Sequence, residues 1–382
     1  MGRSGEPNAF GNLPDYSKHL KGFTKKALDK CKEVVFDGSN GFRSVSHLDL
    51  DRSKPAKRDA MRIDELADSM TRLERGSYRL RSAESLDLVW VFEGLLSFNV
   101  ADFPKMPEKL REGIRNVVPD ALRYLTGIDN YDQNGTPHYR VNLGSPLDAR
   151  HQAKRENKGL NGACQGLGHF GQWVDPFATT FGKTKDTRQG GKNKAQTHVG
   201  AFYAALAPAC HLIKAMFARI APDWYAYYET IYKMASDRPG VKDLLNSDRQ
   251  VWCTMAIIRN LQVDPHKDSK DIPYGFVAMT CAGDFTKGDL VLPDLGVSIP
   301  YQPGDVVFMR SAILEHFIST YDGLRTSLVW FTHDDVLEKL LVEREMNAGV
   351  KTELHKEFAA TCAAVPPRDR RRRSIEYIRR RR

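Results

Sequence analysis

From residue 251 onward the chain alternates short apolar runs with turn-forming residues. "VWCTMAIIRNLQV" comes first. It is followed by "YGFVAMTCAG" (274–283), "GDLVLPDLG" (288–296), "VSIPYQPGDVVFMRS" (297–311), "LEHFIST" (314–320) and "LRTSLVWFTH" (324–333). Pro-Tyr-Gly, Lys-Gly-Asp, Gln-Pro-Gly-Asp and Asp-Gly separate them. Closely spaced short strands with turn signals predict an all-β barrel or sandwich.

Upstream the apolar period lengthens. "VGAFYAALAPACHLIKAMFARI" (199–220) and "DWYAYYETIYKMA" (223–235) read as helices. So does 106–125, interrupted at Pro119, and a helix is expected around 60–75 after the loop 52–59. The run 86–100 is apolar without a deciding period. Residues 128–200, rich in Gly, Asn, Lys and Gln, read as a long irregular region; His169, among its glycines, is placed in a loop. Residues 1–20 and 366–382 read as disordered ends. Helices first and strands second predict one α+β unit, a helical layer supporting a β-barrel.

The length of 382 residues, 41% of them hydrophobic, suffices for one large domain or two ordinary ones. No run of 18 apolar residues occurs, so no membrane span and no membrane partner are expected. The N-terminus lacks an apolar h-region, so no secretory signal is expected. Six cysteines without a CxxC pair suit reduced thiols in a cytosolic or nuclear protein.

The net charge of +9 is unevenly spread. Residues 368–382 hold nine arginines against Asp369 and Glu376, hence +7. Residues 150–194 hold nine Lys/Arg against three acids, hence +6. Such segments attract phosphate backbones or acidic surfaces, and the tail also reads as a nuclear import signal or a solubilising end.

The chemistry concentrates in "QVDPHKDSKDIPYG" (262–275) and in the strands downstream of it. At a strand end, residues i and i+2 share a face, so His266 and Asp268 present an imidazole and a carboxylate together. His316 stands in a later short strand. Two histidines and one carboxylate form the facial triad that holds non-haem Fe(II) with open positions. Nine residues on, Arg325 offers a guanidinium that grips a carboxylate through two parallel bonds. H-x-D, about fifty residues, H, about ten residues and R-x-S form the order of 2-oxoglutarate-dependent oxygenases.

Within those enzymes the chain resembles the TET/JBP family, in particular its compact fungal and protist members. The likeness is carried by "RNLQVDPHKDSKD" and "GDVVFMRSAILEHFISTYDGLRTSLVWFTH". It is specific over 250–335, loose over 80–250 and absent over the first 80 residues. The resemblance implies a double-stranded β-helix (jelly-roll, cupin-like) core. It divides the chain into an N-terminal extension, 1–80, partly disordered; a dioxygenase domain, 81–345, with helical support over 81–250 and the core over 251–335; and a C-terminal helix with an arginine-rich tail, 346–382.

By the same resemblance His266, Asp268 and His316 match the iron ligands. Arg325 matches the arginine that pairs with the distal carboxylate of 2-oxoglutarate, and Ser327 assists it. Asp271 and His333 fall where compact members read a flipped base, and Asn260 points toward the cosubstrate if its strand is regular. The implied cofactors are Fe(II), 2-oxoglutarate and O2, with ascorbate stimulatory. The implied partner is DNA, a methylated duplex. A monomer and a nuclear location are expected.

The implied reaction is oxidation of a methylated DNA base, with 5-methylcytosine leading. Alternatives are N6-methyladenine, another alkylated base, RNA, a protein side chain, or an inactive nucleic-acid-binding module. Two family features are missing: a cysteine-rich zinc module, and an upstream substrate-contacting asparagine that can be placed in 128–200.

Overall fold

The computed structural model describes residues 17–50, 63–97, 117–122, 166–174, 181–184, 187, 195–236, 250–337 and 339–340. The arginine tail, the C-terminal helix expected beyond 346 and most of the basic segment 150–194 lie outside the described residues.

Five helices and thirteen strands are described, in the order α1 (Ser17–Asp29), β1 (Lys32–Phe36), α2 (Ile63–Asp68), β2 (Thr71–Arg72), β3 (Tyr78–Ser82), β4 (Asp87–Phe92), α3 (Val117–Leu122), β5 (Gly166–Val174), β6 (Phe181–Lys183), α4 (Ala195–Ile220), α5 (Pro222–Ser236), β7 (Thr254–Arg259), β8 (Val277–Lys287), β9 (Leu290–Leu292), β10 (Val297–Ile299), β11 (Val306–Met309), β12 (Phe317–Ile318) and β13 (Tyr321–Phe331). They form a nine-stranded sheet, β1-β3-β4-β11-β8-β13-β7-β5-β6, and a four-stranded sheet, β12-β9-β10-β2. The fold is α+β and sheet-rich, as the strand pattern predicts.

Strand alternation sorts two cores onto opposite faces of the large sheet. On β13, Leu328 and Trp330 join the cluster with Phe202, Ile213, Met216 and Phe217 of α4. Val329 and Phe331 face the other way, into the cluster with Leu290, Leu292, Val297 and Ile299 of the small sheet. The layers are therefore helices, large sheet, small sheet. Ile63 and Leu66 of α2 cover the outer side of the small sheet against Val291 and Phe317.

Helix α4 forms because Val199, Phe202, Leu206, Ala209, Ile213, Met216 and Phe217 recur at helical spacing and are all buried. Residues Val199–Ile220 are apolar and long enough to cross a membrane by length and composition. Here that apolar stripe is taken up by the sheet: Phe217 packs 4.9 Å from Trp252 and stacks on Phe308 at 6.0 Å between ring centroids. Proline at the first position of α5 and Asp223 in its first turn start the next helix.

One undecided run is settled and two expectations change. Within the run 86–100, residues 87–97 form β4 followed by a turn. Residues 1–80, expected as an extension, contain β1, β2 and most of β3, which pair into the two sheets. Their alternation is masked by charge: β3 is Tyr-Arg-Leu-Arg-Ser, and its outward Arg79 and Arg81 pair with Glu33 and Asp87. Residues 166–174, expected as irregular, form β5, antiparallel to β7. Three glycines in that strand hide its period.

Candidate metal centre and cosubstrate pocket

Strand β7 ends at Arg259, and the chain then crosses toward the segment before β12. His266 and His316 pair as an isolated antiparallel bridge, with N–H to O distances of 3.1 and 2.9 Å in the two directions. The Asp268 amide donates to the Ser311 carbonyl at 3.0 Å. These backbone bonds fix both arms of the site. As a result one ligand atom from each of His266, Asp268 and His316 lies within 4.8 Å of the others.

The imidazoles are oriented as well as placed. His266 Nδ1 lies 2.7 Å from the Asp264 carbonyl, and His316 Nδ1 lies 3.0 Å from the Leu314 carbonyl. A carbonyl only accepts, so in the neutral ring each Nδ1 carries the hydrogen and each Nε2 keeps its lone pair. Both Nε2 atoms face Asp268, at 3.7 Å for His266 and 3.5 Å for His316. This is the outer-sphere arrangement that fixes the tautomer of metal-ligating histidines. Burial pushes the His316 imidazole down, but the Asp268 hydrogen bond and charge outweigh it and hold the group above its ordinary 6.5. His316 is buried, whereas His266 and Asp268 are half-buried, so the centre is open on one side.

Arg325 and Ser327 share the inner face of β13, and both are buried. Arg325 Nη1 donates to Ser327 Oγ. Among the described residues its Nε and Nη2 are buried without a hydrogen-bond partner. The guanidinium lies 5.4, 5.3 and 5.7 Å from the ring centroids of Phe285, Tyr301 and Tyr321. Three titratable groups beside it are held neutral. Burial pushes the Cys281 thiol up to about 11 and Tyr321 up to about 12, and raises Tyr301 as well. The pocket therefore holds a buried cation with two donors on one edge, suited to a carboxylate.

Asn260 does not continue a regular strand. Its φ is +48°, in the left-handed region that asparagine tolerates. Its Oδ1 accepts from the Arg325 amide at 2.8 Å, and its own amide donates to the Arg325 carbonyl at 2.8 Å. Its oxygen thus holds the backbone of Arg325.

Asp271 and His333 meet in a second isolated bridge, with Asp271 Oδ1 and His333 Nε2 4.0 Å apart. Ser311 Oγ donates to Asp271 Oδ2 at 2.8 Å, and the Asp271 amide donates to the Asp268 carbonyl at 2.8 Å. Ser311 thus ties both carboxylate-bearing residues to one loop. The eight residues singled out in the sequence fall in two groups: His266, Asp268 and His316 tied through Asp268 to Asp271 and His333, and Arg325 with Ser327 and Asn260. The rings of Phe285, Tyr301 and Tyr321 carry no such signal in the sequence. Phe285 and Tyr321 follow once β8 and β13 are paired, because Arg325 sits opposite Gly283 and Tyr321 opposite Lys287.

Residues 179–334 match the Tet_JBP family, the oxygenase domain of the 2OGFeDO superfamily. No curated protein matches the chain. Among solved structures the chain is similar to NgTET1 in complex with 5mC DNA, at 15% identity and a TM-score of 0.45, over 85% of this chain and 91% of that one. It is also similar to OsALKBH1, at 12% identity and a TM-score of 0.33, over 65% and 98%. A 2OG-Fe(II) oxygenase family oxidoreductase from Burkholderia pseudomallei gives 22% identity and a TM-score of 0.20, over 24% and 48%.

Proposed function

We propose, for a chain whose residues 179–334 match the Tet_JBP oxygenase domain of the 2OGFeDO superfamily, that it oxidises a methylated base in DNA with Fe(II) and 2-oxoglutarate. The leading substrate is 5-methylcytosine. The observation that carries the reading is a two-histidine, one-carboxylate cluster, held by its own backbone bridge, in a chain that also buries an arginine with two free donors on β13.

The residues fit both groups. His266 and His316 offer Nε2 lone pairs and Asp268 an oxygen, the donor set of a facial triad. Nε and Nη2 of Arg325 would receive the distal carboxylate of 2-oxoglutarate. Ser327 fixes the third guanidinium nitrogen, and Asn260 holds the backbone beneath it. When bound, iron with 2-oxoglutarate supplies oxidation of a C–H bond by O2, with succinate and carbon dioxide as co-products. The two facing sheets support a double-stranded β-helix as the scaffold.

The protein's other task is to present the methyl group. A base inside a duplex is stacked, and enzymes acting on such bases extrude them at a cost of a few kcal/mol. Asp271 accepts hydrogen bonds from an exocyclic amino group, and His333 beside it contacts the same edge. The basic segment 150–194 and the arginine tail would add contacts to phosphates, weakening with salt.

Succinate formation tests the DNA part. A duplex carrying 5-methylcytosine is expected to raise the rate well above the same duplex unmethylated. Equal rates with every methylated duplex would remove DNA as the substrate.

A further inference from the structure

The inner face of β13 runs from Arg325 through Ser327, Val329 and Phe331 to His333. Cross-strand register extends that face to β5. His169 lies opposite Ala256, and Ala256 opposite Val329. Gly171 lies opposite Thr254, and Thr254 opposite Phe331. Residues 169, 171 and 173 of β5 therefore line the wall that leads to His333.

Gly171 carries no side chain, and the rings on either side of it meet: His169 and Trp173 have centroids 4.9 Å apart. The contacts continue around a closed set of four rings. Trp173 stacks on His333 at 5.8 Å and 17°. His333 meets Phe331 at 5.0 Å, and Phe331 meets His169 edge-on at 6.2 Å. The backbone beneath is rigid. The Gly171 amide donates to Thr187 Oγ1 at 2.8 Å, the Thr184 amide donates to the Gly171 carbonyl at 2.9 Å, and Thr254 Oγ1 donates to the Gln172 carbonyl at 2.6 Å.

Several groups bear on His333. The Phe331 ring meets it at 40°, the Trp173 indole lies nearly parallel to its ring, and Asp271, fixed by Ser311, faces its Nε2. The terminal torsion of a histidine has broad wells, and a ring stacked on the imidazole narrows them. Trp173 is only half-buried, so it also borders the space in front of His333.

We propose that Trp173 is a positioning residue for His333, and that through His333 it determines which planar ring the pocket accepts. The proposal rests on the base-recognition reading given above. Trp173 needs no contact with iron or 2-oxoglutarate for this role.

The test is a double-mutant cycle with a spectroscopic arm. Trp173→Leu is expected to lower kcat/KM for methylated duplex about tenfold and to raise 2-oxoglutarate consumed per base oxidised. Its KM for 2-oxoglutarate and its Mn(II) affinity stay at wild-type values, which excludes a collapsed fold. Trp173→Phe, which keeps a ring, recovers most of the loss. In a His333→Ala background, Trp173→Leu has no further effect. Losses that multiply in the double variant, or a matching rise in 2-oxoglutarate KM, would overturn the proposal. In metal-free protein, the His333 ring resonances, assigned by their disappearance in His333→Ala, are expected to move in Trp173→Leu as the indole ring current is lost. Unmoved resonances would overturn the proposal whatever the substrate. If the wild type oxidises no DNA base, the functional reading fails, and the spectroscopic arm alone decides whether Trp173 holds His333.

Discussion

Replacing Arg325 by methionine removes the guanidinium from the aromatic pocket while keeping much of its length. With no ligand, two effects oppose each other. Loss of a buried cation with two unsatisfied nitrogens relieves a desolvation penalty, and loss of the packing over Phe285, Tyr301 and Tyr321 removes cation–π attraction worth about 0.5–2 kcal/mol. The ligand-free variant should therefore unfold near the wild type. With 2-oxoglutarate the two diverge. Nε and Nη2 each supply a charge-assisted bond of roughly 1.5–3 kcal/mol, so the variant loses roughly 10²–10⁴ in affinity. The assay is thermal unfolding with Mn(II) in place of iron, with and without 2-oxoglutarate. At a ligand concentration 100 times Kd the wild type gains about 2.7 kcal/mol, which corresponds to roughly 3–5 °C in Tm. Arg325→Met should show almost no shift. A shift equal to that of the wild type would refute the assignment of this pocket to the distal carboxylate.

Four further outcomes are expected. Asp268→Ala should lower Mn(II) affinity by more than the 10–100-fold typical of outer-sphere changes, measured by titration calorimetry, because it removes the carboxylate both Nε2 atoms face. Ser327→Ala should raise the 2-oxoglutarate KM about five- to tenfold, the worth of one hydrogen bond that orients Arg325. Gly283→Ala should destabilise the protein by roughly 2–4 kcal/mol in urea unfolding, since φ is +125° and a Cβ would stand 2.0 Å from the Leu324 carbonyl oxygen, next to Arg325. Burial pushes Glu84 up, but hydrogen bonds from Ser46, its own amide, the His47 amide and Ser82 together outweigh it and hold the carboxyl down at about 2. A depressed folded value means its contribution is present above 4.5 and is lost as pH falls from there toward 2. Glu84→Gln should therefore flatten that part of the stability–pH curve, and an unchanged acid limb would contradict it.

The candidate metal centre is legible in the sequence because its parts sit at strand ends, where H-x-D puts two side chains on one side, and because β13 alternates cleanly from Arg325 to Phe331. The hidden parts are non-local. Periodicity tells which residues of a strand share a face, but not which strand lies beside it. Tyr301, in the loop that follows β10, reaches Arg325 across the sequence, a meeting no local pattern announces. β5 reads as a loop because glycines at 166, 168 and 171 interrupt its apolar run, although Leu167, His169, Gly171 and Trp173 keep the period of two. β1 and β3 are obscured by Glu33, Arg79 and Arg81, whose ion pairs satisfy one another on the outer face. Asn260 escapes placement because its left-handed φ breaks the strand geometry on which its expected direction depends.

The central claim is that the His266, Asp268, His316 and Arg325 constellation serves oxidation of a methylated base in DNA. The most direct measurement is mass spectrometry of nucleosides from methylated duplex incubated with protein, Fe(II), ascorbate and 2-oxoglutarate, against His266→Ala. The account predicts 5-hydroxymethylcytosine or its further oxidation products with the wild type and none with the variant. Loss of N6-methyladenine instead would keep the chemistry and change the base. Succinate formed with every methylated base left intact would contradict the account.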